Sequence, residues 1–464
     1  MMKKFYLITA AAVAVLVVGC AKNEVIQKEI PAEAVSFGVY VPKTVTKAVS
    51  NTDFGDMTTN KLGHEDNAGF GVFAYYTNNT GYSSSATPNF MYNQQVNGNG
   101  TDPTPSPTAW TYTPLKYWPN EHGSNAVSTG VDKLSFFAYA PYVAIKTLNS
   151  DTASKFEDIT TPTAGEATEG IISVTGNNQT GDPILTFQIP SKGAEQIDLL
   201  WGVAAAGATA VGVQGSTANT ITAGKPFIDL TKQECDGKIK FLFKHALAKL
   251  DLKVQAIVDH DTENDIPVDA NTKVYVRKVE ILGKFVTKNT LNLNNTTANK
   301  PLWGTAITTN AFGDPAFTFT DGKDDVDDKT ADATESADIA AAFVDGAGVT
   351  NVAQNLLATD HQFLIIPTNL TDGGGAEDGF KVRITYDIET TDANLAGYLT
   401  DGTTNGSKVK NVITTKDAAF LNFEAGKIYT ITLKLGLTSV KMEADVDVWT
   451  DAVGTDVNLP LNVE

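Results

Sequence analysis

The chain has 464 residues, 42% of them apolar and 19% charged, enough to bury two or three domain cores and too apolar for a disordered chain. Its net charge of −19 excludes a general nucleic-acid binder, because a phosphate backbone is gripped by Lys and Arg and here the carboxylates outnumber them. Two cysteines, Cys20 and Cys235, allow at most one disulfide, so apolar packing has to hold the fold.

The first segment is Met1-Met2-Lys3-Lys4, a short basic stretch, followed by the apolar run Phe5–Val18. That run is too short to span a bilayer and has the form of an export signal. It ends at Val17-Val18-Gly19-Cys20, where a small residue ahead of a cysteine resembles a lipobox. The pattern predicts a signal peptide over 1–19 and diacylglycerol on the Cys20 thiol; an ordinary cleaved signal with an incidental cysteine is the alternative. Attached acyl chains contribute about 0.8 kcal/mol per buried methylene, so several together anchor a chain to a membrane surface. With Cys20 lipidated, no disulfide within the chain is left.

Beyond the signal, period-two alternation dominates, the mark of strands with one face buried. Val35, Phe37, Val39 and Val41 share one face of Val35–Val41. Further strands are predicted over Gly69–Tyr76, Lys133–Tyr142, Ile184–Ile189, Ile197–Val203 and the long run Lys238–Val258. In that run Phe241, Phe243 and Leu247 have one parity and Ala248, Leu250, Leu252 and Val254 the other. The flip at Leu247-Ala248 predicts a β-bulge or a strand that changes sheets, with a helical turn over His245–Leu250 as the alternative. Lys273–Phe285, Phe317–Phe319, Gln362–Ile366 and Phe380–Ile388 follow. Then Tyr429–Leu437 and Val440–Val448, separated by Thr438-Ser439, predict a hairpin. A last alternation, Val457, Leu459, Leu461 and Val463, closes the chain. Long polar stretches, among them Ser83–Thr113, Asp321–Ser336 and Gly373–Gly379, read as surface loops. Ala331–Val344 and Thr350–Leu357 are the best short helix candidates. The fold class is all-β, most simply two sandwiches with a boundary near Thr231–Asp236.

No chemistry-bearing motif emerges. The five histidines lack zinc spacing, and no nucleophile elbow, P-loop or dinucleotide fingerprint occurs. His64-Glu65-Asp66 is a lone polar cluster, and Asp324-Asp325-Val326-Asp327-Asp328 lacks the glycine and closing glutamate of a calcium loop. Cys235 lies between Glu234 and Asp236, which disfavour a thiolate. His245 on its apolar strand reads as a hydrogen-bonded core or edge residue. The chain is therefore read as no enzyme, with no catalytic residue, cofactor or metal assigned. Asp151-Thr152-Ala153 resembles an O-glycosylation acceptor at Thr152; a plain polar loop is the alternative.

Four segments in order resemble the fimbrillin family of Bacteroidales, subunits of type V pili: Lys133–Tyr142, Ile197–Trp201, Ile239–Leu250 and Gly426–Leu435, the last followed by Trp449. They stand behind the lipoprotein signal and span nearly the whole mature chain. The resemblance implies two transthyretin-like β-sandwich domains with long polar loops: a lipidated propeptide over 20–47, an N-terminal domain over 48–232 and a C-terminal domain over 233–464. It implies an outer-membrane lipoprotein at the cell surface, held to lipid through Cys20 and matured by a surface trypsin-like protease. It then polymerises into a fimbrium with copies of itself or related pilins by strand exchange. The family's protease often cuts after Arg, and no Arg stands near the leader. Lys47 is the expected cleavage point, with Lys43 as the alternative. The displaced strand is then Val35, Phe37, Val39 and Val41, and the donor strand lies in 455–464 with Val457, Leu459, Leu461 and Val463. Four apolar residues on each side can exchange by β-augmentation, although Pro460 cannot donate to a ladder. Two ordinary edge strands of a static monomer are the alternative, in which case the chain is a surface lipoprotein that binds glycan or protein.

Overall fold

The computed structural model describes residues 34–39, 69–98, 110–119, 133–143, 169–206, 213–260, 265–323, 337–390 and 407–448, apart from short gaps within these stretches. The main strands are β1 (Phe37–Val39), β2 (Phe70–Asn78), β3 (Met91–Gly98), β4 (Trp110–Thr111), β5 (Lys133–Ala140), β6 (Gly170–Val174), β7 (Ile184–Gln188), β8 (Leu200–Ala204) and β9 (Phe227–Leu230). They continue with β10 (Ile239–His245), β11 (Ala248–His260), β12 (Lys273–Leu282), β13 (Val286–Asn292), β14 (Pro315–Thr320), β15 (Lys381–Thr390), β16 (Ser407–Asp417), β17 (Lys427–Leu435) and β18 (Val440–Val448).

These strands form four principal sheets. The first has the order β1-β10-β8-β5-β2-β3-β4, with β9 also on β5. The second is built on β11-β17-β18, the third is β14-β12-β15-β16, and the fourth runs β13-β7-β6. The first sheet is buried on both faces, as its near-continuous apolar runs require. One face carries Phe70, Val72, Phe136, Ala138, Phe241 and Phe243; the other carries Phe73, Tyr75, Phe137, Tyr139 and Trp201. The second face packs on Leu185 and Phe187 of the fourth sheet, and this core runs on without a break between the second and third sheets. The architecture is all-β, with sheets packed face to face.

The parity flip marks a real change of sheet. β10 pairs antiparallel with β8 in the first sheet, and three residues later β11 pairs parallel with β17 in the second. Ala246 and Leu247 make the hand-over, both fully buried; the Ala246 N–H donates to the Leu199 carbonyl, and the Ala246 carbonyl accepts from Trp303 Nε1. Pairings cross the line expected at 232/233: β10 follows it yet lies in the first sheet, and β13 pairs with β7.

The expected hairpin is present, β17 against β18 from Lys427↔Val448 to Leu435↔Val440. Two expectations differ. Thr350–Leu357 is not helical, because its backbone is taken up by neighbours: Leu356 N–H donates to the Leu252 carbonyl and its carbonyl accepts from Ala340. Only Ala341–Phe343 of the other candidate forms a helical turn, of 3-10 type, while 331–336 lie outside the described residues. Inside the polar stretch Ser83–Thr113, Met91–Gly98 is a strand, because two buried side chains, Met91 and Val96, seat it beside β2. Among the described residues no helix is long and apolar enough to cross a membrane.

Candidate functional site

The first sheet curls until its two ends meet, and the leading strand closes it. β1 stands at one end of the strand order and β4 at the other. β1 pairs in parallel with β10, in the register Phe37↔Ile239, Gly38↔Lys240 and Val39↔Phe241. Its opposite edge is held by the segment after β4: Ala34 bridges Tyr117, and Val35 N–H donates to the Lys116 carbonyl at 2.9 Å. The Tyr112 hydroxyl donates to the Val35 carbonyl at 2.8 Å and receives the Lys116 N–H at 3.2 Å. Burial pushes that hydroxyl up to about 12, against the lowering effect of the Lys116 backbone, so it stays protonated and remains a donor.

Alternation puts Val35, Phe37 and Val39 together in the interior of the curl. Phe37 has no exposed surface and sits among four rings from four segments: Tyr112 at 5.5 Å, Phe136 at 5.9 Å, Phe241 at 6.2 Å and Phe70 at 6.4 Å between centroids. Three of these pairs are edge-to-face and the one with Phe241 is stacked; pairs of either kind contribute about 0.5–1.5 kcal/mol beyond area burial. Three buried side chains of the leading segment thus help to close the core. The next residue along, Gly38, turns the other way, where the nearest side chains are the stems of Lys238 and Lys240.

Of the residues singled out from the sequence, Val35, Phe37 and Val39 are brought together here. Cys20, Val41, Lys43, Lys47, Thr152, Val457, Leu459, Leu461 and Val463 lie outside the described residues, as do Cys235, His64-Glu65-Asp66 and Asp324–Asp328. His245 is buried at the end of β10, its Nδ1 2.7 Å from Asp198 Oδ2, a core hydrogen bond at the change of sheet. No group of three or more His, Cys, Asp or Glu side chains among the described residues is placed to hold a metal ion. Sequence reasoning missed the Tyr112–Trp118 strap over the leading strand. The available signal was its aromatic content, Trp110, Tyr112, Tyr117 and Trp118 beside an otherwise polar stretch; a wholly exposed loop has no reason to carry it.

No family model matches the sequence. Among curated proteins the chain is 26% identical over 455 residues to the fimbrium subunit Fim1C of Phocaeicola vulgatus, covering 96% of each. Among solved structures it is similar to a fimbrial protein from Bacteroides vulgatus, with a TM-score of 0.52, 20% identity and coverage of 90% of this chain and 99% of that one. The structural likeness defines the class: a β-sheet protein with the fold of a Bacteroides fimbrial protein. The full-length sequence relationship is to a fimbrium subunit, in line with the four ordered segments that resemble the fimbrillin family.

Proposed function

We propose that this chain is a structural fimbrial subunit that assembles by exchanging its leading strand for the trailing strand of another copy or a related subunit. The observation that carries the reading is the seat of β1. The segment Val35–Val39, whose strand β1 stands at the edge of a sheet and is followed within eight residues by Lys43 and Lys47, fills the interior with Val35, Phe37 and Val39. Burial of these side chains is worth roughly 5–9 kcal/mol gross, at about 1.5–3 kcal/mol each. Their removal leaves an apolar slot and an open β10 edge, both costly in water. The tail's alternation Val457, Leu459, Leu461 and Val463 has the period and length to fill it.

In this reading Cys20 carries the lipid that takes the precursor to the cell surface, and a trypsin-like protease cuts after Lys47, or after Lys43. Thr152 is available for a glycan. In the same reading the chain folds as two sandwiches, with β10 and β13, which follow residue 232, completing sheets of the first. The protein is no enzyme: its burial, pairing and aromatic packing serve cohesion and assembly. A cleaved preparation is expected to give a ladder of oligomers on denaturing gels without boiling, and filaments in the electron microscope. Deletion of 455–464 is expected to abolish the ladder. An unchanged ladder removes the tail as donor, and the lack of any oligomer after cleavage returns the chain to a monomeric surface lipoprotein.

A further inference from the structure

We infer that the ring-lined pocket around Phe37 ranks the strands that can occupy the slot: it favours the chain's own leader over the chain's own tail, and an aromatic donor over an aliphatic one. The inference rests on the exchange reading and adds to it a specificity-determining residue and the chemistry of the preferred partner.

The pocket cannot shrink around a smaller side chain, because three of its four walls are held by further rings and the fourth, Tyr112, by its hydrogen bonds with the Lys116 backbone. Phe70 packs on Trp110 at 5.1 Å and on Phe243 at 5.2 Å, Phe241 on Phe227 at 5.4 Å, and Phe136 on Trp118 at 5.9 Å. A core site whose surroundings do not relax keeps the void left by a truncated side chain. The tail offers no ring. Its alternation Val457, Leu459, Leu461, Val463 reads the same from either end. With Val at the Val35 site, a Leu falls on the Phe37 site whichever way the strand runs. In both directions Pro460 then falls on the Gly38 site and brings no N–H. At the Val35 site the main-chain bonds do not discriminate: Val35 is held through its own N–H and carbonyl, by Lys116 and Tyr112, and any residue but proline supplies both. At the Gly38 site the proline sets every tail back equally against the leader, so among tails that share it discrimination lies in the side chain at the Phe37 position. Phe37 thus keeps the uncut chain closed, and the tail enters only once the leader is cut away. A subunit whose donor strand reads Val-x-Phe-x-Val outcompetes this chain's own tail for the slot.

The test uses the full chain with a single protease site inserted beside Lys47, cut, and loaded with a fluorescent peptide of residues 34–41. Unlabelled peptides of residues 455–464 compete for the slot, as the natural sequence and as the Leu459→Phe and Leu461→Phe variants. The natural tail is expected to displace the label, and at least one aromatic variant to do so at about tenfold lower concentration. Equal potency of natural and variant tails overturns the pocket inference and leaves strand exchange standing. Failure of all three tails, with unlabelled leader still competing, overturns both. A second arm uses the uncut chain: Phe37→Leu is expected to take up labelled tail peptide at least tenfold faster than the natural chain while keeping a cooperative melt. Uptake no faster than in the natural chain overturns the gatekeeping role of Phe37. If that variant does not fold, the peptide arm decides alone.

Discussion

Arg277 and Arg383 are the two arginines of the chain, and they stand on neighbouring strands of the third sheet. Arg277 is the extra residue where the β12–β15 register shifts between Val276 and Lys278, and that bulge aims its side chain inward. Its Nε donates to Asp387 Oδ2 at 2.8 Å and its Nη1 to the Val344 carbonyl at 3.1 Å, with Asp321 Oδ2 at 3.4 Å. Desolvation holds the Asp321 carboxyl above the usual range, and the Arg277 charge pulls it back. Arg277→Ala removes the buried cation between two buried carboxylates and is expected to cost about 3–5 kcal/mol, read as a lower urea midpoint. Arg383 forks onto Glu280 at 2.6 and 2.8 Å. That hydrogen bonding, the largest effect on Glu280, lowers its pKa from 4.5. A carboxylate with a depressed folded pKa contributes stability that is complete above its unfolded value and lost as pH falls through its folded one. The stability gap between the natural chain and Glu280→Gln is therefore expected to be widest near neutral pH and to shrink on titration below about 4.5, measured by urea melts across that range. Had Glu280→Gln the same gap at every pH, the ion pair would not be the cause.

Among the elements, β2 and β5 show how tightly the first sheet is set. Gly71 pairs with Tyr139, and a methyl group there overlaps the Tyr139 ring and comes within 2.9 Å of Asn93 Oδ1. Those are the partners of a buried hydrogen bond, from the Tyr139 hydroxyl to Asn93 Oδ1 at 2.7 Å. Gly71→Ala is expected to lose about 1–3 kcal/mol through overpacking, measured by denaturant unfolding, with the near-ultraviolet tyrosine signal altered. The strands with strong alternation or unbroken apolar runs, such as β5, β10, β11 and β17, were legible because burial of one or both faces writes itself into the local pattern. β3 and β16 were not, since Met91-Tyr92-Asn93-Gln94-Gln95 and Lys408-Val409-Lys410-Asn411 have no run of that kind. Strands of this sort are recruited by the hydrogen-bonding edge of a neighbour, β2 for one and β15 for the other. The Tyr112–Trp118 strap was hidden for the same reason: its partner, the leading strand, is some 77 residues earlier in the chain.

For the molecule as a whole, the sheets are interleaved rather than laid end to end. β10 supplies Ile239, Phe241 and Phe243 to the core of the first sheet, and β13 supplies the neighbour of β7. A chain ended at residue 232 lacks both, leaving the β8 and β7 edges open and the first core short of three large side chains. It is expected to aggregate, whereas the full chain keeps both strands and is expected to be soluble with protected amides. Soluble yield and hydrogen exchange of the truncation and the full chain measure this. A soluble, protected 232-residue chain contradicts the interleaving.

The alternations of the sequence by themselves determined that the chain is all-β, where most strands run, that a bulge or a change of sheet falls at Leu247-Ala248, and that Val35, Phe37 and Val39 share one face. Each is a local property, written by side chains that point alternately to core and solvent. Which strands meet was decided only in three dimensions. The pocket of Phe37 draws on Phe70, Tyr112, Phe136 and Phe241. No spacing announces that set, because sheet pairing joins residues whose separation along the chain carries no period.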